Sequence, residues 1–338
     1  MSDPILILTE CGADIGFGHL TRCLSLGEAF RRAGEDVDVW AAADARSVEY
    51  LPESVRTVQW YGLPDALTVA AASAYGVLVD SFRIGADEFE RIAGINRRIA
   101  VIDDFPRRQY STGVVVDWTI GAEHFAFPSR HADVVYLLGG QYCALRPEFK
   151  YTVEREFSDP PRSLLVTFGG ADIRALTAPV VAMLQREFPD LEKLVVFGQS
   201  AQNMPLCPAK DRSTSFYAAA DGARMRELMA RADIAVCGGG QTLYELASQG
   251  LPPVISSLAD DQNDDIRGFV HAGFGVYEGS WRQPGLLDAL AAGISELWPA
   301  DVRARHSAAG QECVDGSGAE RLVSAILAEW RRYRGPHD

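Results

Sequence analysis

A chain of 338 residues has room for two domains of ordinary size. Its hydrophobic share of 47% and charged share of 23% are those of a globular protein, and a formal charge of −14 (32 basic against 46 acidic residues) argues against a nucleic-acid or anionic-membrane partner. No apolar run approaches the roughly 20 residues of a membrane span, and the first strand begins without a basic leader, so a cytoplasmic location is expected.

The run Pro4 to Thr9 reads as a buried first strand, and Leu20 to Phe30 carries apolar residues at helical spacing. Between them, Asp14-Ile15-Gly16-Phe17-Gly18-His19 makes a glycine-rich turn with a histidine where the helix begins. In open α/β sheets such a turn lies at the carboxyl edge of the strands, where ligands bind. The helix start adds free backbone N–H groups for an anion. Histidine is the side chain whose ordinary pKa lets it act as a base near neutral pH. The turn is not the dinucleotide fingerprint, because Thr21 stands where that motif has its third glycine. A histidine at a helix start can also simply cap or pack.

Asp36 to Trp40 reads as a second strand, and Tyr75 to Asp80 as another with an aspartate at its carboxyl tip. Arg98 to Asp104 repeats that design with Asp103 and Asp104, and short strand signals recur at Val114 to Val116 and Val134 to Leu138. The charged segment Phe149 to Arg162, with Pro160-Pro161, reads as a linker. The pattern then restarts with strand Ser163 to Phe168, the turn Gly169-Gly170-Ala171-Asp172 and a helix through Val181. Strand Leu194 to Phe197, a helix around Arg224 to Met229 and strand Ile234 to Cys237 follow. That strand feeds Gly238-Gly239-Gly240 and a helix Gln241 to Ser248 that stops at Gly250; helices fill the chain from about Gly285 onward. This alternation predicts an α/β protein of two Rossmann-like domains facing a cleft. Residues 1–155 form the domain carrying His19, and residues 156–338 form a nucleotide-binding domain with terminal helices.

The triple glycine before a helix is the best candidate for holding a diphosphate through backbone N–H groups, without any lysine. Glu245, about one and a half turns into that helix, can accept hydrogen bonds from sugar hydroxyls. The competing reading is a tight turn followed by a solvated glutamate. Gly169 to Asp172 is a second, weaker phosphate or sugar loop, and Asp260 to Asp265 following strand Pro253 to Ser256 can be no more than an acidic helix start. Asp80, Asp103 and Asp104 can polarise His19, contact sugar hydroxyls or cap the next helix. The cysteines (Cys11, Cys23, Cys143, Cys207, Cys237, Cys313) form no Cys-x-x-Cys pair and read mostly as structural thiols. The histidines (His19, His124, His131, His271, His306, His337) show no ligand spacing, so neither a metal nor another cofactor is expected.

Taken in order, Ile15-Gly16-Phe17-Gly18-His19 with Arg22-Cys23, Val79-Asp80-Ser81-Phe82 with Ile102-Asp103-Asp104, Tyr142 to Phe149, Phe168 to Asp172, and Gly238 to Glu245 with Asp261-Gln262 resemble one family. It is that of the UDP-2,4-diacetamido-2,4,6-trideoxy-β-L-altropyranose hydrolases of pseudaminic acid synthesis, with the related spore-coat polysaccharide proteins. The resemblance spans roughly residues 4–275. It implies the two-Rossmann, glycosyltransferase-B-like fold of the murein-type glycosyltransferases, with the nucleotide held mainly by the C-terminal half. It further implies a UDP-sugar hydrolase that works without metal. His19 would activate water for inverting attack at the anomeric carbon. Gly16, Gly18, Arg22, Asp80, Phe82, Asp103, Arg146, Gly169 and Gly170 would contact the substrate. Gly238, Gly239, Gly240, Gln241, Thr242, Glu245, Asp261 and Gln262 would hold the nucleotide. Two positions depart from the pattern: Phe82 replaces a tyrosine, and Asp261 an asparagine. Two other readings stay open, a glycosyltransferase of the same fold and a nucleotide-sugar binding protein without catalysis.

Overall fold

The computed structural model describes residues 3–12, 15–62, 64–104, 108–124, 131–170, 172–198 and 212–333. Asp14, Ala171, Cys207 and His337, named above, lie outside them. The chain runs β1 (Ile5–Cys11), α1 (Gly18–Arg32), β2 (Val37–Ala43), β3 (Val55–Thr57), α2 (Asp65–Ser73), β4 (Gly76–Asp80), α3 (Ala86–Ile95), β5 (Ile99–Ile102), β6 (Gly113–Asp117) and β7 (Val134–Leu138). All pairings are parallel, in the order β3-β2-β1-β4-β5-β6-β7. The central strands β1, β4, β5 and β6 are buried throughout, which is why each reads as a short apolar run, with the charged residues Glu10, Asp80 and Asp117 near the carboxyl tips of β1, β4 and β6. Strand order reverses between β1 and β4. The crevice of an open sheet therefore falls where α1 begins and β4 ends.

A second sheet follows the same plan. It comprises β8 (Ser163–Thr167), α4 (Thr177–Glu187), β9 (Glu192–Phe197), β10 (Thr214–Ala218), α5 (Gly222–Arg231), β11 (Ile234–Gly238), α6 (Gln241–Ser248), β12 (Pro253–Ser257), α7 (Asn263–His271), β13 (Val276–Ser280), α8 (Leu286–Glu296) and α9 (Ala300–Cys313). Its parallel strands stand in the order β10-β9-β8-β11-β12-β13, with the reversal between β8 and β11.

The two compact units are residues 1–146 with 317–338, and residues 147–316. The boundary thus lies before the charged segment expected as a linker, and that segment is bonded into the second unit. Arg155 donates to the carbonyls of Gln249 (2.7 Å), Ala232 (2.8 Å) and Met229, so it satisfies the open carboxyl ends of α5 and α6 together. The wholly buried Arg303 holds the carbonyl of Ser158 at 2.6 Å.

The last helix, α10 (Gly318–Trp330), was expected with the second domain but belongs to the first unit. Trp330 decides this. Its indole is wholly buried, stacks on Phe30 at 6.1 Å, and covers Gly76, where an added Cβ would come within 2.5 Å of the ring.

Candidate functional site

In the first unit the site is built at the strand reversal. Gly16 adopts φ +74°, and its backbone exchanges two hydrogen bonds with Gly12 (3.1 and 2.7 Å), which closes the turn after β1. Nothing crowds a Cβ at Gly18, the first residue of α1, and that helix start carries no side-chain cap and no acidic residue in its first turn. His19 follows, its side chain 20% exposed.

His19 Nδ1 lies 2.8 Å from Oδ1 of Asp80, the last residue of β4, which is wholly buried. An ionised carboxylate only accepts, so a hydrogen bond to it puts the proton on Nδ1 and the lone pair on Nε2; Arg22 Nη2, itself only a donor, also stands 3.1 Å from Nδ1 and cannot bond it in that tautomer. Arg22, one turn along α1, grips the same carboxylate with Nε on Oδ2 (2.6 Å) and Nη2 on Oδ1 (2.6 Å). Its Nη1 reaches Asp104 Oδ2, and the guanidinium lies 5.0 Å from the centre of the Trp118 ring. Burial alone would raise the Asp80 pKa, but Arg22 and His19 together outweigh it and hold the group well below the usual carboxylate range. Burial likewise works against charge on Arg22, while Asp104 and Asp80 keep it protonated.

Asp80 and Arg22 therefore spend their polar atoms largely on one another and on His19. Asp103 is also buried and internally engaged, accepting from Tyr110 Oη at 2.8 Å with Arg108 Nη1 at 3.7 Å. Phe82 differs. Its N–H donates to Glu10 (2.7 Å) and its carbonyl accepts from Arg108 (3.2 Å), while its side chain stays 47% exposed. Arg146 is half-buried at the end of this unit.

Glu10, at the tip of β1, is a residue that sequence reasoning missed. It is wholly buried and receives Tyr61 Oη, Ser81 Oγ (2.8 Å) and the Phe82 N–H, tying β1 to the segment after Asp80. Its signal was a charged residue closing an otherwise apolar strand.

In the second unit, the turn at Gly169-Gly170 and the triple glycine flank the reversal between β8 and β11. Gly169 has φ +79°, and both glycines are exposed. Two of the N–H groups at the start of α4 are already taken, because Asp172 accepts from Leu176 and Thr177, both at 3.0 Å.

The start of α6 carries no side-chain cap. The three glycines before it have different reasons. A Cβ on Gly238 would strike Leu258 at 2.5 Å and one on Gly239 would strike Ile266 at 2.5 Å, so these two are small because of packing. Gly240 has room, its nearest neighbour being Gln262 Nε2 at 3.7 Å. Gln262 Oε1 accepts from Gly239 N–H (3.1 Å) and Leu258 N–H (2.9 Å), which orients the amide and leaves Nε2 toward the helix mouth. Gln241 and Thr242 are half-buried in the first turn of α6 and Asp261 is exposed. Glu245 is only 2% exposed, so it is not a solvated surface carboxylate.

Among the described residues no group of three or more His, Cys, Asp or Glu side chains is placed to hold a metal ion, and no helix is long and apolar enough to cross a membrane.

The solved structures on which the chain superposes include glycosyltransferases. MurG of Acinetobacter baumannii superposes with a TM-score of 0.63 at 12% identity, covering 96% of this chain and 99% of that one. The spinosyn rhamnosyltransferase SpnG complexed with thymidine diphosphate does so with a TM-score of 0.56 at 15% identity, covering 97% and 99%. The fold is glycosyltransferase-B. No protein-family model matches the chain. Among curated sequences it is similar to the Helicobacter pylori protein named pseudaminic acid cytidylyltransferase and UDP-2,4-diacetamido-2,4,6-trideoxy-beta-L-altropyranose hydrolase, 22% identical over 77% of this chain and 45% of that protein. It is also similar to the spore coat polysaccharide biosynthesis protein SpsG of Bacillus subtilis, 25% identical over 56% of this chain and 57% of that protein. An uncharacterized protein of Methanocaldococcus jannaschii is 24% identical over 74% of this chain and 55% of its own length. The chain spans about half the length of these curated relatives.

Proposed function

We propose that the protein hydrolyses a UDP-linked deoxyamino sugar, with water as the nucleophile, in the biosynthesis of a pseudaminic-type nonulosonic acid. The observation that carries this reading is the His19 Nδ1–Asp80 pair, which leaves Nε2 as a base at the carboxyl edge of a Rossmann-like sheet. Nε2 takes a proton from water as its oxygen bonds to the anomeric carbon. The bond from that carbon to the diphosphate oxygen breaks with its electron pair, and UDP leaves. Attack opposite the leaving group inverts the anomeric centre. The name carried by the Helicobacter pylori relative supports the substrate class.

In this reading the second unit binds the nucleotide, with the uncapped start of α6 and Gln262 Nε2 offering donors to the diphosphate and Glu245 facing the ribose. Such donors stabilise the leaving charge, so chelators should leave the rate unchanged. A second reading, transfer of the sugar to an acceptor hydroxyl, is favoured by the glycosyltransferases that share the fold.

One assay separates them: purified protein, a panel of nucleotide sugars, no acceptor, with free UDP followed over time and the product anomer read by NMR. UDP release from a diacetamido-trideoxy-hexose donor, lost by about 10²–10⁴-fold in His19→Ala, is expected for the hydrolase. Release only after an acceptor is added would assign transfer. UDP release at the wild-type rate by His19→Ala would remove His19 as the base.

A further inference from the structure

Arg174 belongs to none of the motifs read from the sequence. It lies half-buried in the loop between β8 and α4, and its Nε donates to the carbonyl of Leu258 at 2.8 Å. Its guanidinium carbon stands 4.2 Å from the centre of the Trp281 ring, just past β13. Among the described residues no carboxylate pairs with it. Arg282 lies over the same ring at 4.8 Å, but its charge already faces Asp260 Oδ1 at 3.4 Å.

Strand order shows what this reach means. β11 lies between β8 and β12. An arginine from the loop after β8 that bonds a carbonyl just past β12 therefore crosses the carboxyl end of β11, where Gly238 to Gly240 turn into α6. Leu258 fixes the proximity, because its side chain is the one a Cβ on Gly238 would strike, and its N–H is held by Gln262. A guanidinium with no carboxylate partner and no Nη hydrogen bond among the described residues thus stands over an indole, beside the uncapped start of α6.

We infer that Arg174 is the cation that binds the diphosphate of the nucleotide, with Trp281 as its positioning residue. This rests on the nucleotide-sugar reading above and adds the charge which that reading lacked. A guanidinium matches two phosphate oxygens at once, and stacking on the ring removes rotamer freedom before the ligand arrives.

The test is calorimetric titration of UDP into wild type, Arg174→Met, Arg174→Lys and Trp281→Leu, with uridine contact followed by ligand-observed NMR and folding by thermal melts. Arg174→Met should weaken UDP binding by about 10- to 100-fold, the scale of a charged hydrogen bond, while uridine contact and melting stay as in wild type. Arg174→Lys should recover part of the loss, since an ammonium keeps the charge without the fork. Trp281→Leu should weaken UDP binding by about threefold to tenfold. UDP binding at wild-type strength in Arg174→Met overturns the inference and leaves the nucleotide-sugar reading standing. A parallel loss of uridine contact overturns it too, because Arg174 would then act on the fold or the base. A wild-type protein that binds no nucleoside diphosphate overturns both.

Discussion

His19 and Asp80 stand 61 positions apart in the chain, yet Nδ1 of one lies 2.8 Å from Oδ1 of the other. The pairing follows from topology: α1 begins after β1, Asp80 ends β4, and β1 and β4 are neighbours in the sheet. An imidazole and a buried carboxylate thus arrive from two segments that only the parallel sheet brings side by side.

Asp80→Asn tests the tautomer of His19. The amide can turn its NH2 toward Nδ1, which would move the imidazole proton to Nε2 and abolish the base. In the proposed hydrolysis kcat should fall by about 10²-fold or more with KM little changed, since Asp80 is wholly buried. Unaltered kcat and an unaltered pH–rate profile would show that Asp80 does not orient His19. The same carboxylate has an acid-stability signature. Its folded pKa is depressed below the unfolded value of about 4, so its contribution is full above pH ~4 and is lost as the pH falls further. The acid limb of the wild-type melting curve should be steeper than that of the variant.

Asp117, at the tip of β6, behaves in the opposite sense. It is wholly buried, Thr119 N–H holds Oδ1 at 2.9 Å, and among the described residues Oδ2 has no hydrogen-bond partner. Burial pushes its pKa up to about 7, with Thr119 opposing and the nearby Asp104 and Asp103 adding to the rise. The unfolded chain releases this proton near pH 4, whereas the folded chain keeps it until about 7. Stability from this group is therefore full below pH ~4, falls as the pH rises to about 7, and is constant beyond. The melting temperature of Asp117→Asn relative to wild type should climb between pH 5 and pH 8, by the equivalent of a few kcal/mol at order of magnitude. Parallel melting curves across that range would mean that Asp117 ionises normally.

The triple glycine separates packing from binding. Gly239→Ala drives a methyl into Ile266 and should destabilise the second unit by about 1–3 kcal/mol in urea titrations. Gly240 has φ −89° and open space, so Gly240→Ala should fold with nearly wild-type stability while weakening UDP binding at the α6 start. Equal UDP affinity in Gly240→Ala and wild type would place the phosphates elsewhere.

Trp330→Ala should remove about 3–5 kcal/mol from the first unit, because the ring is wholly buried between Phe30 and Gly76. Denaturant unfolding, followed unit by unit with hydrogen exchange, checks it. A loss confined to the second unit would contradict the placement of α10.

Most strands were legible because β1, β4, β5, β6, β8, β11 and β12 are covered on both faces and are apolar along most of their length, with polar residues mainly at their ends. The strands that escaped notice, β3, β10 and β13, all lie at sheet edges, where one side is open and no apolar run is needed. Helix α10 was legible as a helix, but its place was not, since an apolar stripe says that a surface must be covered and not which one. The glycine turns and His19 were visible for a related reason: a strand, a glycine and a helix start are local, and neighbours in sequence suffice to reveal them. Glu10, Trp118, Arg174 and Trp281 were invisible because what matters in each is its contact partner. Sequence alone determined the repeated strand–turn–helix units and the glycine-rich turns between them. Strand order decided the rest, by choosing which distant tips meet: Asp80 at His19, and Arg174 across the end of β11.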